Sequence, residues 1–504
     1  MISNNLGKCF DAAQWADKAA LIEPGDFSAP RRTSFAELDA ECDAVARGLV
    51  ARGYRPGDAI GILAQNSREQ VCAYLGIMRA GMVAVPFSFK LNQKICSHIV
   101  RDSGMKAVFC DPAYRAMLTD TADMPEVLSL ERGGGFEDLL DPGPFDTFEP
   151  QERELAMILY TSGSTGNPKG VLLSHASQRW SLERGAALYG DRASNCYIVA
   201  APMFHMNATI SLKSALACGA TTVLLPTFDA ESYARSIQEF GVTALTSVPT
   251  MLALVAKESE RLGHLDFSSV QEVMMGSAPL TQALIDKVQA IFPGARISNS
   301  YGTTEGGPSP FGPHPDGIPR PPLSLGYPAP ELEVELRESD QPDQGVFYVR
   351  SPMRMEGYRN LPEKTAEVLK DGWYRSGDIM RRDADGFFYF VGRADDMFNV
   401  GGENVWPGEV EKLIESLPGV HQACVVPVPH ETKHLAPFAW VVLQNHASLS
   451  EEDVKKHTLD NGPAFAHPRH VHFLQEIPLA GTNKPDRKKL EALARQETER
   501  LKKA

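Results

Sequence analysis

Ten residues, TSGSTGNPKG (161–170), lie between two apolar runs, LAMILY and GVLLSH. Two apolar runs so close together predict two strands joined by a loop. Gly163, Gly166 and Gly170 let that loop turn tightly and bring its N–H groups toward an anion. Thr161, Ser162, Ser164 and Thr165 add hydroxyl donors, and Lys169 adds a positive charge. The assembly suits a triphosphate. It is not a Walker A loop, because the GxxxxGK[ST] spacing fails and a strand, not a helix, is expected to follow.

The chain around the loop alternates between helical and strand patterns, which predicts an α/β fold with parallel-type sheets. SFAELDAECDAVARGLVARG has helical spacing after Ser34, a candidate N-cap. AIGILAQNS reads as a strand, EQVCAYLGIMRAG as a helix, MVAVPFSF as a strand and KAVFCD as another. TTVLLP, VTALTSV and VQEVMMGS repeat the theme further on. Pro- and Gly-rich PHPDGIPRPPLSLGYPAP opens a small β region, and the helix PGEVEKLIESL and the strands ACVVPVP and FAWVVL belong to a last segment. Its charged tail, RKKLEALARQETERLKKA, reads as a solvated helix. The expected organisation is a large domain over residues 1–394, made of two parallel-type α/β subdomains and a small β subdomain, then a small mobile α+β lid over residues 395–504.

Length and charge narrow the partners. At 504 residues the chain exceeds one core. A net charge of −14 argues against nucleic acid. Eight scattered cysteines form no CxxC pair, and no apolar run reaches the roughly 18–20 residues of a membrane span. No signal peptide is visible, and a cytoplasmic location is expected.

The decapeptide resembles the phosphate loop of the adenylate-forming superfamily, which contains acyl-CoA synthetases, luciferases and peptide-synthetase adenylation domains. Other motifs follow in that superfamily's order, and the resemblance spans about residues 30–490. It implies ATP, Mg²⁺ and coenzyme A as the ligands. GSAPL would form the adenine-side strand end, with Gly276, Ser277, Ala278 and Pro279. In the stretch Ser300, Tyr301, Gly302, Thr303, Thr304, Glu305, the resemblance implies that Tyr301 stacks on adenine, Thr304 meets the α-phosphate and Glu305 holds the metal together with Thr165. YRSGD resembles the ribose motif, which gives Asp378 the ribose hydroxyls. Arg393 would also contact the nucleotide, and Asp395 would be the hinge. GGENVWPGEVE resembles the lining of the pantetheine tunnel and places Gly401, Gly402 and Glu403 on the coenzyme A side. PLAGTNKPDRKKL resembles the C-terminal lysine motif, with Asn483 in place of the usual glycine and Lys484 as the catalytic lysine, alongside Lys169.

APMFHMNA carries a histidine where amino-acid-activating domains carry aspartate, as acyl- and aryl-CoA ligases do. His205 would therefore act on the acid side, with Met206, Asn207, Val248, Met251, Met275 and Gly276 as the acyl pocket. The segments MFHMNATIS, SVPTMLALV and MMGSAPL contain no charged residue. A second carboxylate buried there would stand unpaired, which disfavours dicarboxylates such as malonate. The reading is thus a ligase for an apolar medium-chain, branched or aromatic monocarboxylic acid, compatible with a homodimer. Two alternatives are transfer of the acyl group to a separate carrier protein and a non-catalytic nucleotide-binding homologue. HETKHLAP and AFAHPRH depart from the superfamily's C-terminal pattern and bear on the coenzyme A side.

Overall fold

A computed structural model describes residues 2–118, 124–161, 167–189, 192–278, 280–400, 403–430, 433–479 and 485–503. The chain divides into two compact units, Met1–Val334 with Val349–Ser376, and Glu335–Tyr348 with Gly377–Ala504.

The larger unit holds two seven-stranded sheets. In the first, the order is Gly357–Tyr358, Lys169–Ser174, Leu155–Thr161, Val83–Pro86, Ala59–Leu63, Ala107–Cys110, Glu126–Ser129. In the second it is Arg296–Ser300, Glu272–Gly276, Ala244–Ser247, Cys196–Val199, Thr221–Leu224, Ala19–Glu23, Arg31–Ser34. Most neighbours are parallel, so strand ends collect along one edge of each sheet, where α/β folds place ligands. The exceptions are antiparallel and include Leu155–Thr161 with Lys169–Ser174, and Ala19–Glu23 with Arg31–Ser34. Helix Phe35–Ala51 begins at Ser34 with a full capping box, in which Ser34 accepts from Glu37 N and Glu37 accepts from Ser34 N. Such a cap contributes about 1 kcal/mol.

In the smaller unit the long hairpin Val420–His430 and His434–Leu443 is joined in parallel by His470–Leu474. Helices Pro407–Glu415 and Glu451–Asn461 contribute to the core on one face. Helix Arg487–Lys503 covers the other, burying Leu490 and Ala494 among Val426, Phe438 and Trp440. The tail is therefore not wholly solvated. Leucine and alanine four residues apart give it one apolar stripe, and Trp440 Nε1 donates to Leu490 O at 3.1 Å. All eight cysteines are free thiols. Among the described residues no helix is long and apolar enough to cross a membrane.

Candidate active site

Thr161 and Lys169 face each other as the last and first residues of an antiparallel strand pair. Between them, Ser162, Gly163, Ser164, Thr165 and Gly166 lie outside the described residues. Gly170 is crowded: an added Cβ would sit 3.0 Å from Ile158 Cγ2 and 3.1 Å from Arg359 Cβ. Thr161 Oγ1 is buried without a hydrogen-bond partner among the described residues. An orphaned hydroxyl at the mouth of the loop fits a polar ligand there.

The Lys169 ammonium sits 4.2 Å above the Tyr358 ring centroid. The Tyr358 hydroxyl donates to Glu305 Oε1 at 3.0 Å. One tyrosine therefore joins the lysine of the first motif to the acid of the second. Backbone ties hold it in place: Arg359 N donates to Gly170 O at 2.7 Å, and Met355 N to Glu305 O at 2.7 Å. Tyr358 belongs to none of the sequence motifs, and only the packing reveals it.

Residues Gly302–Thr303 and Gly307–Pro308 form a tight hairpin, with Thr304, Glu305 and Gly306 at its turn. Thr303 Oγ1 accepts from Gly306 N at 2.8 Å. The Tyr301 ring packs 6.0 Å from Phe311. Gly276 and Ser300 end adjacent parallel strands, and a Cβ on Gly276 would lie only 2.2 Å from Ser300 Oγ. Ser277 follows with φ +68°, a left-handed conformation that costs a non-glycine residue roughly 1–2 kcal/mol. Strain at a strand end beside a candidate ligand edge is where such conformations recur. Ala278 is part-buried, and Pro279 lies outside the described residues.

His205 is exposed and begins helix Met206–Ala217 without capping it through its side chain. Asn207 Nδ2 reaches Ser277 Oγ at 3.5 Å, bringing the expected acyl and adenine segments together. Met251 and Met275 sit in the packed core beside the second sheet, with Val248 against them. Met206 belongs to a different cluster. Three aromatic residues outside the expected pocket form a row toward His205. Tyr114 stacks on Phe89 at 4.9 Å, Phe89 meets Phe204 edge-on at 5.7 Å, and Phe204 lies 4.5 Å from the His205 ring.

In the smaller unit, Asp378 pairs with Arg393 across two strands and accepts from its Nη1 at 2.7 Å. Arg393 Nη2 is 3.7 Å from Asp395. Gly377, at φ +72°, leaves room for that guanidinium: a Cβ would lie 3.1 Å from Nη2. Gly401 and Gly402 lie outside the described residues, and Glu403 resumes the chain in the strand Glu403–Val405. Lys484 is also outside them. On either side of it, Leu479 and Pro485 form a β-bridge. Arg487 is anchored by Glu411 at 2.8 Å and by Val425 O at 2.8 Å. Glu411 is pushed above the usual carboxylate range, chiefly by burial, while Arg487 opposes the shift.

A larger unit of two mostly parallel sheets, with sequence motifs at its strand ends, and a separate small unit define the architecture of an α/β enzyme. The AMP-binding enzyme family matches residues 10–359, and the AMP-binding enzyme C-terminal domain matches residues 409–484; the chain belongs to that family of adenylate-forming enzymes. It is 30% identical over 458 residues to a feruloyl-CoA synthase from an Amycolatopsis species, covering 90% of this chain and 92% of that one. It is 29% identical over 478 residues to the fatty acid–[acyl-carrier-protein] ligase ScoC of Streptomyces coeruleorubidus, covering 91% of each. Among solved structures, the anthranilate CoA ligase AuaEII in complex with anthranoyl-AMP superposes with a TM-score of 0.87 at 26% identity, over 96% of each chain.

Proposed function

We propose that the chain is an ATP-dependent carboxylate–CoA ligase that takes an aromatic monocarboxylic acid. The observation that carries this reading is the Lys169–Tyr358–Glu305 chain, which ties two nucleotide motifs far apart in sequence into one charged unit. An aromatic substrate is favoured by the Tyr114–Phe89–Phe204 row running up to His205. The feruloyl and anthranilate relatives point the same way.

In the first step a carboxylate oxygen attacks the α-phosphorus of ATP. A new P–O bond forms, the bond from that phosphorus to the bridging oxygen breaks, and pyrophosphate leaves. The protein's work is positioning and charge neutralisation. Lys169 and Lys484 offset phosphate charge, Tyr301 supports the base, and Asp378 accepts from the ribose hydroxyls. In the second step the thiol of coenzyme A gives its proton to solvent and the thiolate attacks the acyl carbon; a C–S bond forms, the C–O bond to AMP breaks, and AMP leaves with its electron pair. Asp395 serves as the pivot between steps, and Gly401, Gly402 and Glu403 serve the thiol arm. Glu305 and Thr165 would hold Mg²⁺, which supplies charge neutralisation to the phosphates. The donor types fit, since a carboxylate and a hydroxyl offer the hard oxygens that Mg²⁺ takes, and the cation is expected to come with ATP.

The test is AMP release over a panel of carboxylic acids, with and without coenzyme A. Coenzyme A-dependent release with aromatic acids and its loss in excess EDTA are expected. Full rate in EDTA would remove the metal from the scheme. Similarity to ScoC supports a second reading, transfer to a carrier protein. ATP–pyrophosphate exchange without thioester formation on free coenzyme A would favour it.

Tyr358→Phe keeps the ring under Lys169 and deletes the bond to Glu305. A hydrogen bond to a charged group is worth about 1.5 kcal/mol or more, so kcat/KM for ATP should fall roughly tenfold. An unchanged value would show that Tyr358 does not orient Glu305.

A further inference from the structure

The sheets of the larger unit are joined near His205 through one buried amide. Asn66 follows the strand Ala59–Leu63 and is 3% exposed. Its Nδ2 donates to Ala201 O at 3.0 Å and to Leu225 O at 3.1 Å, and its Oδ1 accepts from Met203 N at 2.9 Å. Its own backbone N–H donates to Pro226 O at 3.2 Å. Both amide donors and the carbonyl oxygen are thus spent on backbone beyond the strand ends Cys196–Val199 and Thr221–Leu224 of the other sheet.

What this amide holds is the turn that presents His205. Residues 201–203 run directly into it, and His205 N closes it on Pro202 O at 3.1 Å. The preceding residue acts from the other side. Gln65 Nε2 donates to the Tyr114 hydroxyl at 2.7 Å, at the far end of the aromatic row that reaches the His205 ring. Two consecutive residues therefore brace His205 twice, by its backbone and by its ring. A clamp of fixed hydrogen-bond geometry holds a reacting group to the tolerance that chemistry requires.

We propose that Asn66 is a positioning residue for His205 and, through it, for the substrate carboxylate, with Gln65 as the weaker second brace. This rests on the reading of His205 as the acid-side group. An asparagine that merely closed a loop would weaken the fold and would burden both substrates alike.

Steady-state kinetics on Asn66→Ala, Gln65→Leu, His205→Ala and the Asn66→Ala/His205→Ala double variant decide the matter, with melting curves alongside. Asn66→Ala should raise KM for the acid about tenfold while KM for ATP stays within about twofold. The double variant should lose no more than His205→Ala alone, because one residue acts through the other. Gln65→Leu, at a half-buried site, should show the same selectivity at roughly two- to fivefold, and it carries the test should Asn66→Ala not fold. Equal rises in both KM values, or additive losses in the double variant, would overturn the proposal. A His205→Ala enzyme with unchanged KM for the acid would instead remove the acid-side reading, and the proposal with it. A His205 effect without an Asn66 effect overturns the proposal alone.

Discussion

Replacing Lys484 with alanine is expected to slow ATP–pyrophosphate exchange by about 10²- to 10³-fold, the loss of one charge-stabilising group worth roughly 2.7–4 kcal/mol in the transition state. The same variant should still turn chemically supplied acyl-AMP and coenzyme A into thioester. On this reading Lys484 neutralises charge on the α-phosphate while pyrophosphate is expelled, whereas the thiol-arm residues serve the second step. Gly402→Leu should do the reverse, exchanging pyrophosphate normally and failing at thioester formation, because a branched side chain would obstruct the thiol arm. Both half-reactions on both variants settle the division of labour. Equal loss of both steps in two folded variants would sink the proposal that the smaller unit uses different residues for different steps.

Lys213→Met should stabilise the larger unit by a few kcal/mol at neutral pH, because an apolar side chain of similar length removes a desolvation cost. Lys213 is fully buried, its ammonium has no hydrogen-bond partner among the described residues, and the nearest aromatic support is the Tyr74 ring at 5.8 Å. Burial pulls its pKa down from 10.5 to about 7, and an electrostatic effect of Cys9 opposes the shift. Since the pKa is lower in the folded state, the unfolded chain binds more protons between pH 7 and 10.5. The penalty is therefore full below about pH 7 and is relieved as the pH rises toward 10.5. A tenfold loss of proton affinity on folding corresponds to about 1.4 kcal/mol, which sets the scale of the gain. Denaturation of both proteins at several pH values gives the answer by difference, because the other titrating groups cancel. His175, held near pKa 4 by burial and by Lys213, is neutral across that range. A less stable variant, or a difference independent of pH, would show that Lys213 has a partner in solution.

How much was legible in advance depended on how local each signal is. The helix after Ser34 carries its own cap and spacing, so its start could be read directly. The strand pair Leu155–Thr161 and Lys169–Ser174 was legible because it lies within twenty consecutive residues or so. Ala19–Glu23 and Arg31–Ser34 escaped: the first is five residues long, the second is polar, and the first is specified by a partner, Thr221–Leu224, two hundred positions away. In the candidate site, the motifs name their own residues in the sequence, whereas the contacts of Tyr358, Phe89, Tyr114 and Asn66 appear only in the packing. Asn66 had one hint, a polar residue just beyond an apolar strand. Met251 and Met275 show the converse, since a methionine near a site in sequence can equally be packed core.

The pairing of Leu21 with Thr222 and Ile22 with Val223 has a consequence for synthesis on the ribosome. The strand Ala19–Glu23 emerges about 200 residues before that neighbour, which at 5–20 residues per second is a wait of roughly 10–40 s. Through that interval the nascent chain carries an apolar segment with an open edge. Chaperone engagement of residues 19–34 should therefore outlast that of the hairpin at 155–174, which closes on itself as soon as it is made.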